Sequence, residues 1–380
     1  MPVVSSSSKI AFHALTREWE RAVAEFNERL RDAPEGLPRR FPERPSPRWT
    51  REAGKDSGVY QEYYVAAEGD VVRGAYLLKF QDFEVNGRRE TIANLQLPLS
   101  EGLVNRAHSL VGLRLLRDAV ERSDRIYALG MGGLHNPLPK LLERLGWSLS
   151  LVPMRIRILR PARVLRGAPY LRKKPARRLA CDVLAFSGAG WAGLTAYQTW
   201  RGRRGGSASA TAAPVVEFGG WADEVWAAGA GDRAFAAIRT AAVLNHLYPP
   251  QESRFVKLCV EVGGQAAGWA VLTNEAKTNH RYFGGLRLGA LVDCAARPGA
   301  EAAVVRAATK WLAARGADLV VTNQSHLAWR QALDDCGYFS APSNFAFGCS
   351  PRLAREIGDG PDRLDRVHLN RGDGDGPINL

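Results

Sequence analysis

The stretch LPKLLERLGW, Leu138 to Trp147, sets an amphipathic helix against a glycine and then an aromatic residue, and the pattern returns as WRQALDDCGYF, Trp329 to Phe339. With Gly146 laid on Gly337, an offset of 191, DRIYALGMGGLHNPLPKLLERLGW aligns without a gap on RGADLVVTNQSHLAWRQALDDCGY. Each copy reads as a short apolar strand (Ile126 to Leu129; Leu319 to Val321), a loop, a helix and the Gly-aromatic stop. His135 falls on His326.

Working outward, Leu113, Leu116 and Val120 fall at offset 192 on Val305, Ala308 and Leu312, the i, i+3, i+7 stripe of a helix with one buried face. At offset 194, Gly69 and Gly74 match Gly263 and Gly268, which predicts in each half a hairpin whose second strand is entered through a glycine. Each half thus runs hairpin, strand, loop, helix, strand, helix, Gly-aromatic and a last strand (Leu151 to Leu159; Asn344 to Cys349). The expected fold is α/β (α+β): two tandem domains, each a mixed, mostly antiparallel sheet flanked by helices. The predicted boundaries are 1–160, a basic helical or linker segment 161–214, 215–352, and a tail 353–380.

At 380 residues, 46% apolar and 24% charged, the chain is long enough for two separate cores. The N-terminus MPVVSSSSKIAF lacks the charged start and apolar run of a signal peptide, so the expected location is cytoplasmic. The five cysteines are scattered without a CxxC pair, which predicts reduced thiols and no metal site. Almost all of the +13 net charge is local: between Met154 and Arg204 thirteen Lys/Arg face one acid, Asp182. That segment, 154–204, is where contact with a polyanion or the anionic inner face of a membrane is expected. Inside it, Leu179 to Trp200 has the length of a membrane span, but Asp182 and three glycines favour an interfacial or inter-domain segment.

The order of elements resembles the GNAT acyltransferase fold in each half. The whole resembles the bacterial tandem-GNAT proteins related to Fem-type aminoacyl transferases, through FNERLRDAPEGLPRRFPE (26–43), NLQLPLSEG (94–102), ALGMGG (128–133), AIRTAAVLNHLYPP (237–250) and NRGDGDG (370–376). The resemblance implies an acyl-CoA co-substrate, acetyl-CoA in the simplest case, whose pyrophosphate sits on a Q/R-x-x-G-x-G/A loop opening the central helix. Arg297, Gly299, Ala300 and Ala302 match that loop, with Val292 and Cys294 in the strand before it and Asn323 placed to bond the pantetheine amides. Glu301 inside the loop is a poor neighbour for phosphate. The first half keeps only Arg106 and Ser109.

The general acid usual in this fold is a Tyr four residues before the repeat's glycine, and both halves have leucine there, Leu142 and Leu333. The resemblance therefore leaves His326, matched to proton transfer near neutral pH, and Asp293 at the end of GALVDC as expected catalytic groups. Asp373-Gly-Asp375-Gly begins like a calcium loop but lacks the downstream Glu. The leading expectation is an N-acyltransferase acting on an amine of a cell-envelope or polysaccharide precursor, a monomer with an internal pseudo-dimer. The alternatives are a Fem-type transferase using aminoacyl-tRNA on a lipid-linked acceptor, and a non-catalytic GNAT-fold binding protein.

Overall fold

Gly146 and Gly337 end their helices at φ +78° and +76°, a left-handed position that glycine adopts without a Cβ penalty. The aromatic residue that follows then drops into a core: Trp147 is buried under one sheet and Tyr338 under another, where its hydroxyl meets Thr309 Oγ1 at 2.7 Å. The structure, a computed structural model, describes residues 10–33, 40–172, 210–280, 282–358, 360 and 362–374, and positions 181, 182, 184, 185, 192, 193 and 196. Most of the basic stretch beyond Leu171, most of Leu179 to Trp200, and Asp375 lie outside the described residues.

Two units emerge, 1–83 with 89–150 and 346–358, and 84–88 with 151–345 and 359–380. The first holds strands β1 (Ala11–Ala14), β2 (Tyr60–Glu68), β3 (Val71–Val85), β4 (Arg88–Ser100), β5 (Ile126–Leu129) and β6 (Ser148–Leu151), joined by β15 (Ala346–Cys349). Their order is β1-β2-β3-β4-β5-β15-β6, with β4 and β5 parallel and β5 and β15 antiparallel. Helices α1 (Glu20–Arg29), α2 (Val111–Arg122) and α3 (Pro137–Arg144) cover it; α2 buries Val111, Leu115, Leu116 and Ala119.

The second unit holds β7 (Met154–Ile158), β8 (Ala210–Val215), β9 (Phe235–Ala237), β10 (Val256–Val262), β11 (Gln265–Ala276), β12 (Arg287–Ala296), β13 (Leu319–Asn323), β14 (Phe339–Ala341) and β16 (Val367–His368). The main sheet runs β14-β7-β13-β12-β11-β10-β8, parallel only between β12 and β13; β9 and β16 pair in parallel with each other and are not part of it, β9 pairing instead with β3. Its helices are α4 (Pro161–Gly167), α5 (Gly220–Ala228), α6 (Ala241–Leu247), α7 (Glu301–Ala314) and α8 (Leu327–Asp335). The helix α9 (Pro351–Ile357) belongs to the first unit.

The hairpin glycines serve a close approach in both copies. A Cβ on Gly74 would lie 2.8 Å from Val111 of α2 and 3.1 Å from the Leu99 carbonyl; one on Gly268 would strike Val304 of α7 and lie 2.7 Å from the Ala295 carbonyl.

The last strands depart from sequence order. The segment expected to close the first sheet, 154–158, lies between β13 and β14 of the second unit, and 346–349 lies between β5 and β6 of the first. A proline marks each departure: Pro153 follows β6 and Pro342 follows β14, and neither has an N–H to continue the ladder it leaves.

Candidate functional site

In both units the central parallel pair separates soon after it forms. β12 and β13 are in register only over Leu288–Ala290 with Leu319–Val321; β4 and β5 pair only at Ala93–Ile126 and Asn94–Tyr127, after which β4 runs on to Ser100 without β5. What fills these two wedges differs.

The second wedge is filled by the chain's own carboxy-terminal segment. Ser325 N–H donates to the Leu369 carbonyl (3.1 Å), Leu369 N–H donates to Ser325 Oγ (2.7 Å), and Gln324 bridges to Asn370. From there Asn370 Nδ2 donates to Asp293 Oδ1 at 2.7 Å, across the gap to β12. Asp293 Oδ2 accepts from Arg239 Nε at 2.7 Å and from the Tyr248 hydroxyl at 2.9 Å. The other side of the Arg239 guanidinium is paired with Asp373. All five residues are at most 1% exposed. Burial alone would lower the Arg239 pKa, but Asp293 and Asp373 outweigh it and the net shift is upward. Tyr248 is held well above its ordinary value, first by burial and then by the Asp293 charge. This is a closed cluster of one guanidinium and two carboxylates, buried away from any incoming proton donor or acceptor.

The residues expected to form the site are accordingly engaged elsewhere. Asp293 is wholly buried in ion pairs, and Val292 and Cys294 on either side are fully buried. Burial pushes the Cys294 thiol far up, with the Asp293 charge adding to it. Asn323 gives its amide to the Val152 carbonyl (3.3 Å) and Ser343 Oγ (3.4 Å), bracing the crossing segments. His326 is the N-cap residue of α8, 6% exposed, with its ring 6.2 Å from His368.

The loop before α7 is exposed, yet Arg297 is turned back on the Ala266 carbonyl (2.9 Å) and Glu224 (3.3 Å). Gly299 takes the turn at φ +84°. Ala300 caps α7, and Glu301 stands in the helix's first turn, ahead of Ala302, as the negative charge that end favours. His135, the counterpart of His326, is exposed on the first unit.

The first wedge is built differently. Where β4 leaves β5 its backbone is kinked: Leu97 sits at φ +48°, which costs a non-glycine residue about 1–3 kcal/mol, and Pro98 follows without an N–H. Such strain concentrates at ligand clamps and active sites. Beyond it, Glu101 is anchored by Arg73 (3.0 Å) and Arg29 (3.3 Å), and Asn105 Oδ1 accepts from Ala107 N–H. These contacts set a turn in which Arg106, Ser109 and Leu110 are exposed just ahead of the α2 N-terminus. Across the wedge, β5 ends in Gly130, Gly132 and Gly133, all at positive φ, where backbone can approach a ligand closely; Asn136 Nδ2 holds this loop by the Met131 carbonyl.

Sequence reasoning named Asp293 and quoted the segments that hold Arg239, Tyr248, Asn370 and Asp373, but did not pair them with it. The visible signal was a lone arginine in the apolar run AFAAIRTAAVL, since a charge there needs a buried partner. Among the described residues no group of His, Cys, Asp and Glu is arranged to hold a metal ion, and no helix is long and apolar enough to cross a membrane.

No protein-family model and no curated protein matches the sequence. Solved structures do. A GCN5-related N-acetyltransferase from Anabaena variabilis superposes with a TM-score of 0.52 at 10% identity, over 90% of this chain and 72% of that one. Saccharomyces cerevisiae N-myristoyltransferase, solved with bound myristoyl-CoA, gives 0.52 at 13% identity over 97% and 84%. A tandem GNAT protein from the clavulanic acid biosynthesis pathway is a looser likeness, 0.45 at 15% identity over 90% and 98%. With two repeated units, each a sheet that parts at its central parallel pair beside a helix N-terminus, this chain has the GNAT fold.

Proposed function

We propose that this protein is an acyltransferase that takes an acyl group from acyl-CoA, and that its donor site is the wedge of the first unit, between β4 and β5. The observation that carries this reading is the contrast between the wedges: residues 368–373 and the Arg239–Asp293 cluster fill the second, whereas the first has a strained strand and glycine-lined edge. In this site Leu97 and Pro98 turn β4 aside for the pantetheine arm. The pyrophosphate meets the N–H groups at the start of α2, with Arg106 and Ser109 beside them. An amine attacks the thioester carbonyl as its neutral form, the tetrahedral adduct expels CoA thiolate, and the amine's proton leaves to a base. Leu142 stands where the usual tyrosine acid would be, so that acid is not part of this reading.

Calorimetric titration of the full chain with CoA, alongside hydrogen exchange, tests the assignment. One site per chain, weakened about tenfold by Arg106→Ala and unchanged by Arg297→Ala, with protection gained over 97–112, supports it; the worth of one charge-assisted hydrogen bond sets the scale. Protection over 292–302 with loss on Arg297→Ala would return the donor to the second unit, with Val292, Cys294, Arg297, Gly299, Ala300, Ala302 and Asn323 around it and His326 and Asp293 as its catalytic groups.

For the acceptor, an amine of a cell-envelope or polysaccharide precursor remains our reading, reached at an anionic membrane face through the basic stretch 154–204. That same charge favours one second reading, an aminoacyl-tRNA donor, because clustered Lys/Arg reward phosphate backbones.

A further inference from the structure

Arg371 is the guanidinium that the buried cluster leaves out. Its neighbours are fixed on both sides. Asn370 donates to Asp293, Asp373 pairs with Arg239, and the two residues cap each other: Asn370 N–H donates to Asp373 Oδ2 (2.8 Å) and Gly372 N–H donates to Asn370 Oδ1 (2.9 Å). Gly372 leaves no slack, since a Cβ there would collide with the Tyr248 hydroxyl and lie 2.8 Å from Asp293 Oδ2. The backbone that carries Arg371 is therefore held on both sides.

On that rigid turn the Arg371 side chain is only partly exposed, and its Nε is sealed from solvent with no acceptor. Among the described residues no carboxylate pairs with it. Burial lowers its pKa to about 10, with no compensating charge. The arginine of the cluster itself, Arg239, is by contrast paired with two carboxylates. A guanidinium held partly out of water on a fixed turn, with its Nε unpaired among the described residues, is placed to take an anion from outside.

We propose that Arg371 is an oxyanion-binding residue of the second unit, taking a carboxylate or phosphate group of a bound molecule in its planar fork. This goes beyond the donor reading and does not need it: CoA in the first unit and an oxyanion at Arg371 are separate events on separate units.

The test follows the thermal midpoint of the full chain in rising acetate, inorganic phosphate or CoA, at constant ionic strength with chloride as reference. The expected result is a saturable rise with acetate or phosphate that weakens about tenfold or more in Arg371→Met, the worth of one charge-assisted hydrogen bond. Arg371→Lys keeps the charge but loses the fork, and is expected to respond in between. In chloride alone Arg371→Met should melt no lower than the parent chain, because no ion pair among the described residues is lost with it. Acetate as the effective probe assigns the site to a carboxylate, phosphate to a phosphoryl group; a response to CoA alone that Arg371→Met removes makes this the donor's own phosphate contact. The proposal is overturned if no anion gives a saturable response, if Arg371→Met keeps that response, or if Arg371→Met melts well below the parent, which would make the side chain structural.

Discussion

Asp293 separates two meanings of a buried carboxylate. A catalytic acid or base has to exchange a proton with a ligand; Asp293 instead has both carboxylate oxygens engaged by Arg239, Tyr248 and Asn370. Removing one partner of a buried pair typically costs about 3–5 kcal/mol because the other charge is stranded. Asp293→Ala is therefore expected to lower the unfolding free energy by about that amount in a denaturant titration, while folded molecules keep their turnover. Lost turnover at unchanged stability would make it catalytic after all. The sequence exposed Asp293 through its position at a strand end. Its partners were not legible, because they stand 54, 45 and 77 residues away and spacing along the chain carries no record of such pairings.

Among the elements, helices and hairpins were legible because their signals are local. A 3.6-residue stripe, a glycine that permits left-handed φ and a glycine under a crossing helix each act within a few residues, and they recur at near-constant offset. The destination of a strand is not local. The period of two in Met154–Ile158 says which side chains share a face, and nothing about which sheet accepts the ladder; only Pro153 and Pro342 hinted that the chain leaves. A fragment ending at residue 160 follows the sequence-based boundary but lacks β15, which stands between β5 and β6. It is expected to lack a cooperative unfolding transition and to aggregate through those exposed edges, as read by circular dichroism and size-exclusion chromatography. A monomeric fragment with a sharp transition would show that the inserted strand is dispensable.

Across the whole molecule, acid sensitivity should trace to His368. Its ring is packed among Trp226, Trp329 and His326, and its pKa is driven well below the ordinary value by burial, then by Arg233, with His326 and Arg239 adding to it. The folded state thus holds the neutral imidazole, while the unfolded chain takes up a proton near pH 6.5. Between the two values the unfolded state binds more protons, so stability is full above about pH 6.5 and falls by up to about 1.4 kcal/mol per unit as pH is lowered towards the folded-state value. Denaturation midpoints between about pH 5 and 8 should show this slope in the parent chain and a flatter one in His368→Gln. Equal slopes would assign the effect to other groups.

The inserted strands also fix an order of events during synthesis. β6 ends at Leu151 and β15 begins at Ala346, so the growing chain carries an unfinished first sheet through about 195 further residues. At a synthesis rate of about 5–20 residues per second that is roughly 10–40 s with β5 and β6 facing an empty place between them. The second sheet needs nothing beyond Ala341, so it can close before Cys349 has left the ribosome. The sheet that is begun first is closed last, and a ribosome that stalls in between would release the chain with its amino-terminal sheet open.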